Sequence, residues 1–428
     1  MFNVEAKEME HYDVVVCGGG IAGACAAISA ARAGSRVILI ERSGSLGGTL
    51  TEGFMPLLMD SDNKGGLVFE LYDFLNAHGM TCARHGNRTD EKGNRIPGRM
   101  VDTEGCKYFL DKTATESGVK VLFYSQVAAL NMKGNAIESL LVVSECGTYS
   151  LSADLYVDAT GNGMVAALAG CDWDCGDPIE KRPSPTSMGL CVVGMPKEYN
   201  GTDNAESKAA YGAMLDKYGI HTSAEHVSVT KLPSLSTWDM GTNFQYDVMP
   251  DDIQALSNAV LSGRKEAFEI IESHKRIPGY EGLYTVFTSA HIGVREGRRI
   301  YGEYRITDED ILEGRRFDDG ICLVTVGVDV HKLKSDDTTD CGRGYRAKPF
   351  HIPYRALLPK GVKNLFLAGR CLSGDFYPHA AYRMMGNMAA TGEAVGFVAA
   401  CCIKEHVSPI FFDGARARAY MEKRGYQL

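Results

Sequence analysis

At 428 residues, with 45 basic and 54 acidic side chains and a net charge of −9, the chain has room for two or three structural units. It has no basic stretch that could track a phosphate backbone, which sets nucleic acid aside as a partner. Hydrophobic residues at 45% and charged residues at 23% exclude disorder, and 48 glycines point to many tight turns or close backbone approaches.

Residues 12–17 form a Val-rich run that ends in Gly18-Gly19-Gly20, followed by an Ala-rich stretch to Ala33 and a second apolar run, 36–41. This reads as strand, tight turn, helix and strand of a buried parallel sheet. A helix is expected over 66–77, and the polar, Gly-rich segment 85–98 reads as a surface loop or flap. A further helix over 102–116 and a strand over 120–124 follow. From 126 to 158 three short alternating strands, separated by turns at 133–135 and 145–147, feed an apolar strand at 155–159. The middle, 171–320, changes character, with a Pro-rich opening, an amphipathic stretch at 251–275 and a β-like run at 284–290. A helix is predicted from Thr307, with Asp310 as its capping partner. Apolar strands return at 321–328 and 364–368, and a last helix spans about 384–403.

The expected fold class is α/β, a Rossmann-like domain with a parallel sheet and a small β-meander, plus a mixed α+β substrate lobe. The first domain occupies 1–170 and 321–428, and the lobe occupies 171–320. The start, MFNVEAKEME, has no leader-like pattern, and the apolar run 389–402 is interrupted by Glu393 and short for a bilayer. The 13 cysteines include no C-x-x-C pair. A reduced, cytoplasmic protein without membrane insertion is expected.

Gly18, Gly20 and Gly23 fit G-x-G-x-x-G between strand and helix, with Glu41 closing the next strand. The glycines serve the tight turn, the approach of a pyrophosphate and helix packing, with Ile21 and Ala22 on the first helical turn, and Glu41 would accept from an adenosine ribose. After Glu41 come Arg42 and the pair Gly47-Gly48-Thr49, for which an enzyme using NAD alone has no general need. Here the sequence resembles the glutathione-reductase-like, two-dinucleotide-binding-domain FAD flavoproteins. The resemblance continues at Val127, at Asp158-Ala159-Thr160-Gly161 and at 364–370, ending in Gly369-Arg370, and it implies FAD as cofactor. Within that fold the segments 295–317, 353–359 and 368–396 resemble a bacterial family of FAD-dependent oxidoreductases. The resemblance also implies that the last helix starts, at Gly386, Asn387 and Met388, against the flavin; the plain alternative is that Gly386 only relieves helix packing.

The Gly47-Gly48 loop lacks the paired cysteines of disulfide reductases, and no second strand-GxGxxG-helix unit offers a nicotinamide domain. Hydride is therefore expected to come from a substrate. His379 and Arg383 sit four apart, so one helical face can present a base and a carboxylate-holding cation. The plain alternative for His379 is a helix-capping loop histidine. His331 is the second candidate base, with Asp329 as its orienting carboxylate, and Arg295 is the candidate substrate contact. Its neighbours Arg298 and Arg299 suit structural ion pairs, Arg355 is a candidate loop anchor near the flavin, and Cys371 suits a buried filler. No metal site is expected. The sequence reads as an FAD enzyme that takes hydride from a small hydroxylated or carboxylated molecule at N5 and hands it to an unidentified electron acceptor. The alternatives are an alkene reductase fed by an external donor, and a non-redox isomerase or hydratase that keeps the flavin. Binding of NAD in the same cleft with Cys371 as sulfur donor is a further variant, which the Gly47-Gly48 loop argues against.

Overall fold

Val14, Val15 and Val16 have no polar face to offer water, and their strand, Tyr12–Cys17, lies in the middle of the central sheet with neighbours on both sides. The computed structural model describes residues 5–84, 98–202, 204–224, 226–234, 236–334 and 345–428. The five-stranded sheet runs in the order Leu365–Leu367, Ala153–Asp158, Tyr12–Cys17, Val37–Ile40, Lys120–Leu122, and its four pairings are parallel. The opening helix, Ile21–Arg32, and the helices Gly66–Ala77 and Thr103–Glu116 fall where the sequence places them. Asp102 caps the last of these by accepting the Gly105 N–H at 2.8 Å. The segment 85–97 lies outside the described residues.

The meander is antiparallel, with strands Ser125–Lys133, Ala136–Ser144 and Gly147–Leu151, and it turns at Gly134 (φ 62°). A second antiparallel sheet, in the order Ser228–Lys231, Trp238–Gly241, Leu190–Val193, Tyr284–Thr288, occupies the middle of the chain. It packs with helices Ala205–Lys217 and Ile253–His274 around its own core of Leu190, Tyr211, Trp238 and Ile271. Sequence periodicity finds the second helix and misses the first, whose apolar stripe is reduced to Tyr211 and Leu215. The capping box of Thr307 and Asp310 forms as predicted.

The returning strand, Gly320–Val324, does not join the central sheet but forms a separate antiparallel ladder with Phe350–Pro353. Apolar patterning specifies that a strand is buried, not which partner it takes. The strand also ends short of residue 328, because the Asp60 carboxylate draws away the Thr325 N–H (3.0 Å) and hydroxyl (2.5 Å). His331 consequently lies in a loop.

The closing helix, Met385–Glu405, seats directly on the opening helix. A Cβ on Gly392 would stand 1.9 Å from the Ala22 carbonyl oxygen, and one on Gly396 would stand 2.2 Å from that of Ala26. Among the described residues this is the one helix long and apolar enough to cross a bilayer, longer than the run read from sequence, yet most of it is buried inside the fold. Glu393, read as an interruption, is 1% exposed and accepts the Leu67 N–H (2.8 Å), Arg424 Nε (2.6 Å) and the Tyr426 hydroxyl (2.8 Å). Gly392→Ala is expected to cost about 1–3 kcal/mol, because backbone opposes the added carbon. Gly212→Ala, in open space on helix Ala205–Lys217, should instead stabilise by about 0.5–1 kcal/mol. Urea unfolding of the two variants measures both.

Candidate active site

Gly18 (φ 98°) turns the chain out of the first strand, where a Cβ would stand 2.5 Å from the Ala159 oxygen. Gly23 closes the helix onto that turn, its missing side chain facing the Gly18 oxygen, and Gly20 opens on free space. The first and third glycines are thus required by packing, and the second leaves room for a ligand at the N-terminus of the opening helix. Glu41 accepts the Gly19 N–H (2.6 Å), the Ser43 N–H (2.8 Å) and the Ser43 hydroxyl (2.7 Å). It therefore fixes the glycine turn as well, with about one acceptor position left for a ribose hydroxyl. The Gly47 N–H reaches the Gly19 oxygen at 2.8 Å, so the two glycine loops lie side by side. Gly48 and Thr49 continue in a short turn, and a Cβ on Gly48 would stand 2.9 Å from Gly20 Cα. Ile21 and Ala22 occupy the first helical turn, Val127 is buried on the meander strand Ser125–Lys133, and Arg42 is exposed. A cavity of about 710 Å³ opens beside segment 42–45, lined by Arg42, Lys107, Tyr124 and His291 among others. Lys107 and His291 carried no signal in the sequence.

Asp158, wholly buried, accepts the Thr160 N–H (3.1 Å) and hydroxyl (2.7 Å) and the Ala166 N–H (2.9 Å). These bonds hold the Ala159-Thr160-Gly161 turn, while burial pushes the carboxyl's pKa up. Gly161 (φ 76°) admits Arg370, whose guanidinium carbon stands 2.9 Å from where a Cβ would be. Arg370 donates to Asn162 Oδ1 at 2.8 Å, but its Nε is sealed from water without a partner, and among the described residues no carboxylate pairs with it. Burial first, then Arg42 and Arg383, press its pKa down to about 10. A sealed guanidinium N–H beside other cations calls for an anion, and the diphosphate of FAD is one. Gly369 (φ 86°) donates to the Thr391 hydroxyl at 3.1 Å and so ties this turn to the closing helix.

Three of the four candidate catalytic residues meet in one cluster. Arg383 caps helix Phe376–Tyr382 and donates to the Asp329 carbonyl (2.8 Å), to Asp329 Oδ2 (3.0 Å) and to the Arg295 carbonyl (3.5 Å). Arg295 donates through one terminal nitrogen to the Pro185 carbonyl (2.9 Å) and the Ser187 hydroxyl (2.6 Å), and lies 4.7 Å over the Phe244 ring. His331 packs 4.9 Å from the same ring, with Nε2 at 3.8 Å from Asp329 Oδ1. The segment that carries Arg295 runs on to the turn at 160–162, since a Cβ on Gly297 would stand 2.5 Å from Asn162 Oδ1 and Arg298 donates to the Asn162 carbonyl at 3.2 Å. Phe244 and Ser187 were not foreseen, because a lone aromatic in a turn-rich segment carries no periodic signal. Burial and the charge of Arg295 lower the His331 pKa despite Asp329. Asp329 itself is held below the ordinary carboxylate value, because His331, Arg383 and Arg295 outweigh its burial.

His379 accepts the Arg383 N–H through its carbonyl (3.1 Å), but among the described residues its ring makes no hydrogen bond within the cluster. It is 2% exposed, with Nε2 sealed and without a hydrogen-bond partner. Burial, then Arg299, Arg383 and Arg370, hold its pKa well below 6.5. The start of the closing helix packs on the turn at 59–60. The Gly386 N–H donates to the Met59 oxygen (3.0 Å), and a Cβ on Gly386 would collide with the Asp60 carbonyl. Asn387 donates to Asp60 Oδ2 at 2.9 Å, and the Met388 carbonyl accepts the Thr391 hydroxyl at 2.7 Å. The close approach that these residues permit is to the turn at 59–60. Arg299 pairs with Glu296 and Asp174. Arg355 pairs at the surface with Asp319 at 2.9 Å. Cys371 is fully buried, donates weakly to the Asp158 oxygen at 3.5 Å and has its thiol pKa pushed far up by burial, as suits a filler.

Residues 13–419 match the sequence profile of the family described as FAD dependent oxidoreductase. An uncharacterised protein encoded in the nifH2 5′ region of Methanosarcina barkeri is 30% identical over 173 residues, 37% of this chain and 88% of that relative. A digeranylgeranylglycerophospholipid reductase of Methanoculleus marisnigri is 28% identical over 170 residues, and the match spans 38% of this chain and 42% of the reductase. The fold is similar to that of CabE, an aromatic hydroxylase from angucycline biosynthesis, at a TM-score of 0.51 and 14% identity over 97% of this chain and 69% of that one. Arg370→Gln is expected to weaken retention of FAD by roughly 10–100-fold, the worth of charge-assisted hydrogen bonds to an anion. Flavin absorbance per protein across a dilution series reads this directly.

Proposed function

This chain belongs to the family of FAD-dependent oxidoreductases, and we propose that it oxidises a small polar substrate, hydroxylated or carboxylated, by moving a hydride from a substrate carbon to flavin N5. FAD, when bound, supplies the two-electron acceptor, and an acceptor outside this chain then takes the electron pair. Gly18, Gly20, Gly23, Glu41 and the Gly47-Gly48 loop hold one side of the cofactor, and Gly161, Gly369 and Arg370 hold the other. The observation that carries the reading is the cluster of Arg295, Asp329, His331 and Arg383, in which the segment carrying Arg295 runs on to the turn at 160–162. Residues 171–320 contribute Arg295, Ser187 and Phe244 to it, and 321–428 contribute the rest, so the substrate lies between the middle lobe and the cofactor domain.

His331 is the proton acceptor in this reading. It is half-buried rather than sealed, and a carboxylate stands beside it, as a base that must receive and release protons requires. His379, sealed and ringed by arginines, is kept neutral and does not take the proton. Arg383 holds Asp329, and Asp329 keeps the imidazole turned toward the cluster. A second reading, a reductase working in the opposite direction, is favoured by the name of the Methanoculleus relative alone. Anaerobic mixing separates the two, because a substrate that bleaches the flavin supports oxidation, and an alkene that reoxidises dithionite-reduced protein supports reduction.

The purified protein should be yellow, with its flavin released into the supernatant on acid precipitation. His331→Asn should keep its flavin and slow substrate bleaching by about 10²–10⁴-fold, whereas His379→Asn should slow it far less. If the order of the two variants is reversed, His379 is the base. The sign of the pH dependence follows from the lowered His331 pKa. The imidazole stays neutral as pH falls through its ordinary range, so the bleaching rate should hold level to below about pH 6.5 and decline only at more acid values. Stopped-flow bleaching between pH 5 and 8 (about the range in which imidazole titrates) checks this.

A further inference from the structure

Arg295 is an arginine with half of its hydrogen-bonding edge unspent. Both of its bonds, to the Pro185 carbonyl and the Ser187 hydroxyl, leave from one terminal nitrogen. Among the described residues Nε and the other terminal nitrogen have no hydrogen-bond partner, and no carboxylate lies within ion-pair distance. The one nearby acid, Asp329, is engaged by Arg383 through a side-chain oxygen and its own carbonyl. The face of the guanidinium is taken by the Phe244 ring. What remains is the planar pair of donors that matches a carboxylate in a bidentate contact, already oriented by stacking, by Ser187 and by a backbone carbonyl. The surroundings favour an anion too, since Arg383 presses the Arg295 pKa down, after burial itself, to about 10, and Asp329 opposes it only in part.

We propose that Arg295 is the receptor for a substrate carboxylate, and that the oxidised carbon is the one next to it, as in a short 2-hydroxy or 2-amino acid. This rests on the hydride-transfer reading above. Arg295 and His331 pack on the same Phe244 ring, so an acid held by its carboxylate presents its neighbouring O–H or N–H to the imidazole. Oxidation then moves the C–H electron pair and hydrogen to FAD and the O–H or N–H proton to His331, leaving a 2-oxo or 2-imino acid.

The test uses the flavin-loaded protein and two probes with no hydride to give, pyruvate and its neutral amide pyruvamide, followed by flavin difference spectra during titration. Pyruvate is expected to bind at least tenfold more tightly than pyruvamide. Arg295→Gln should remove that preference by lowering pyruvate affinity roughly 10–100-fold while leaving pyruvamide within about twofold. Arg295→Lys, which keeps the charge and loses the fork, should fall between. Equal affinity of the two probes for the wild-type protein overturns the proposal, as does unchanged pyruvate binding in Arg295→Gln. If neither variant retains flavin, the comparison of probes on the wild type decides by itself. Arg295-dependent pyruvate binding without bleaching by any 2-hydroxy or 2-amino acid would keep the carboxylate receptor and remove the oxidation.

Discussion

Everything at the site depends on one helix being able to lie on another without side chains between them. The opening and closing helices meet at Gly392 and Gly396, each against a carbonyl of the opposite helix, and the Ser29 hydroxyl bonds to the Glu393 carbonyl across a separation of 364 residues. That contact fixes where the chain returns. Strand Leu365–Leu367 adds to the edge of the central sheet, and Gly369 and Arg370 arrive beside the turn that Gly18 began. Closing so long a loop costs little more than closing one of half its length, because the entropy grows only with the logarithm of length. The cost lies instead in the fit, which demands glycine on one helix and small residues on the other.

The second constraint is electrostatic. The chain is acidic overall, yet its buried carboxylates are consumed by the fold. Glu41 holds the glycine turn, Asp158 the neighbouring turn, Glu296 the backbone at Gly176 and Ser184, and Glu393 the end of the chain. Among the described residues Arg295 and Arg370 have no such partner, and Asp329, paired with Arg383, is the acid that stands nearest. A surplus of cations at one edge is costly in an empty fold. It becomes favourable when an anionic cofactor such as FAD completes it, and the proposed substrate carboxylate would add to the same balance.

Much of this was legible in the sequence because it is written in local rules. The strand, turn and helix around Gly18, the helix 66–77, the meander and the capping box at Thr307 each follow from patterning or caps that span a few residues. The candidate residues Arg295, His331 and Arg383 were found by placement, and they meet in space. What was lost depends on long-range partners. The strand Gly320–Val324 reads correctly as buried while its partner, Phe350–Pro353, is not written in its pattern, Gly386 makes room for the carbonyl of Asp60, and Phe244 joins Arg295 to His331 with no trace in the linear pattern. Glu393 shows the same limit from the other side, because a charge in an apolar run reads as a defect until Arg424 and Tyr426 are seen beside it.

The depressed basicity of both imidazoles belongs to the same electrostatic design. His331 is disfavoured as a cation by burial and by Arg295 and Arg383, and Asp329 offsets only part of this. A carboxylate seated on Arg295 would cancel one of the two opposing charges at the moment the substrate arrives. The base would then grow stronger only when there is a proton to take, and stay unprotonated between turnovers. Phe244 would make the coupling direct, since one ring packs against both the Arg295 guanidinium and the His331 imidazole. On this view the low intrinsic basicity of His331 does not count against its role, because it sets the order of events, with the acid bound first and the proton moved second.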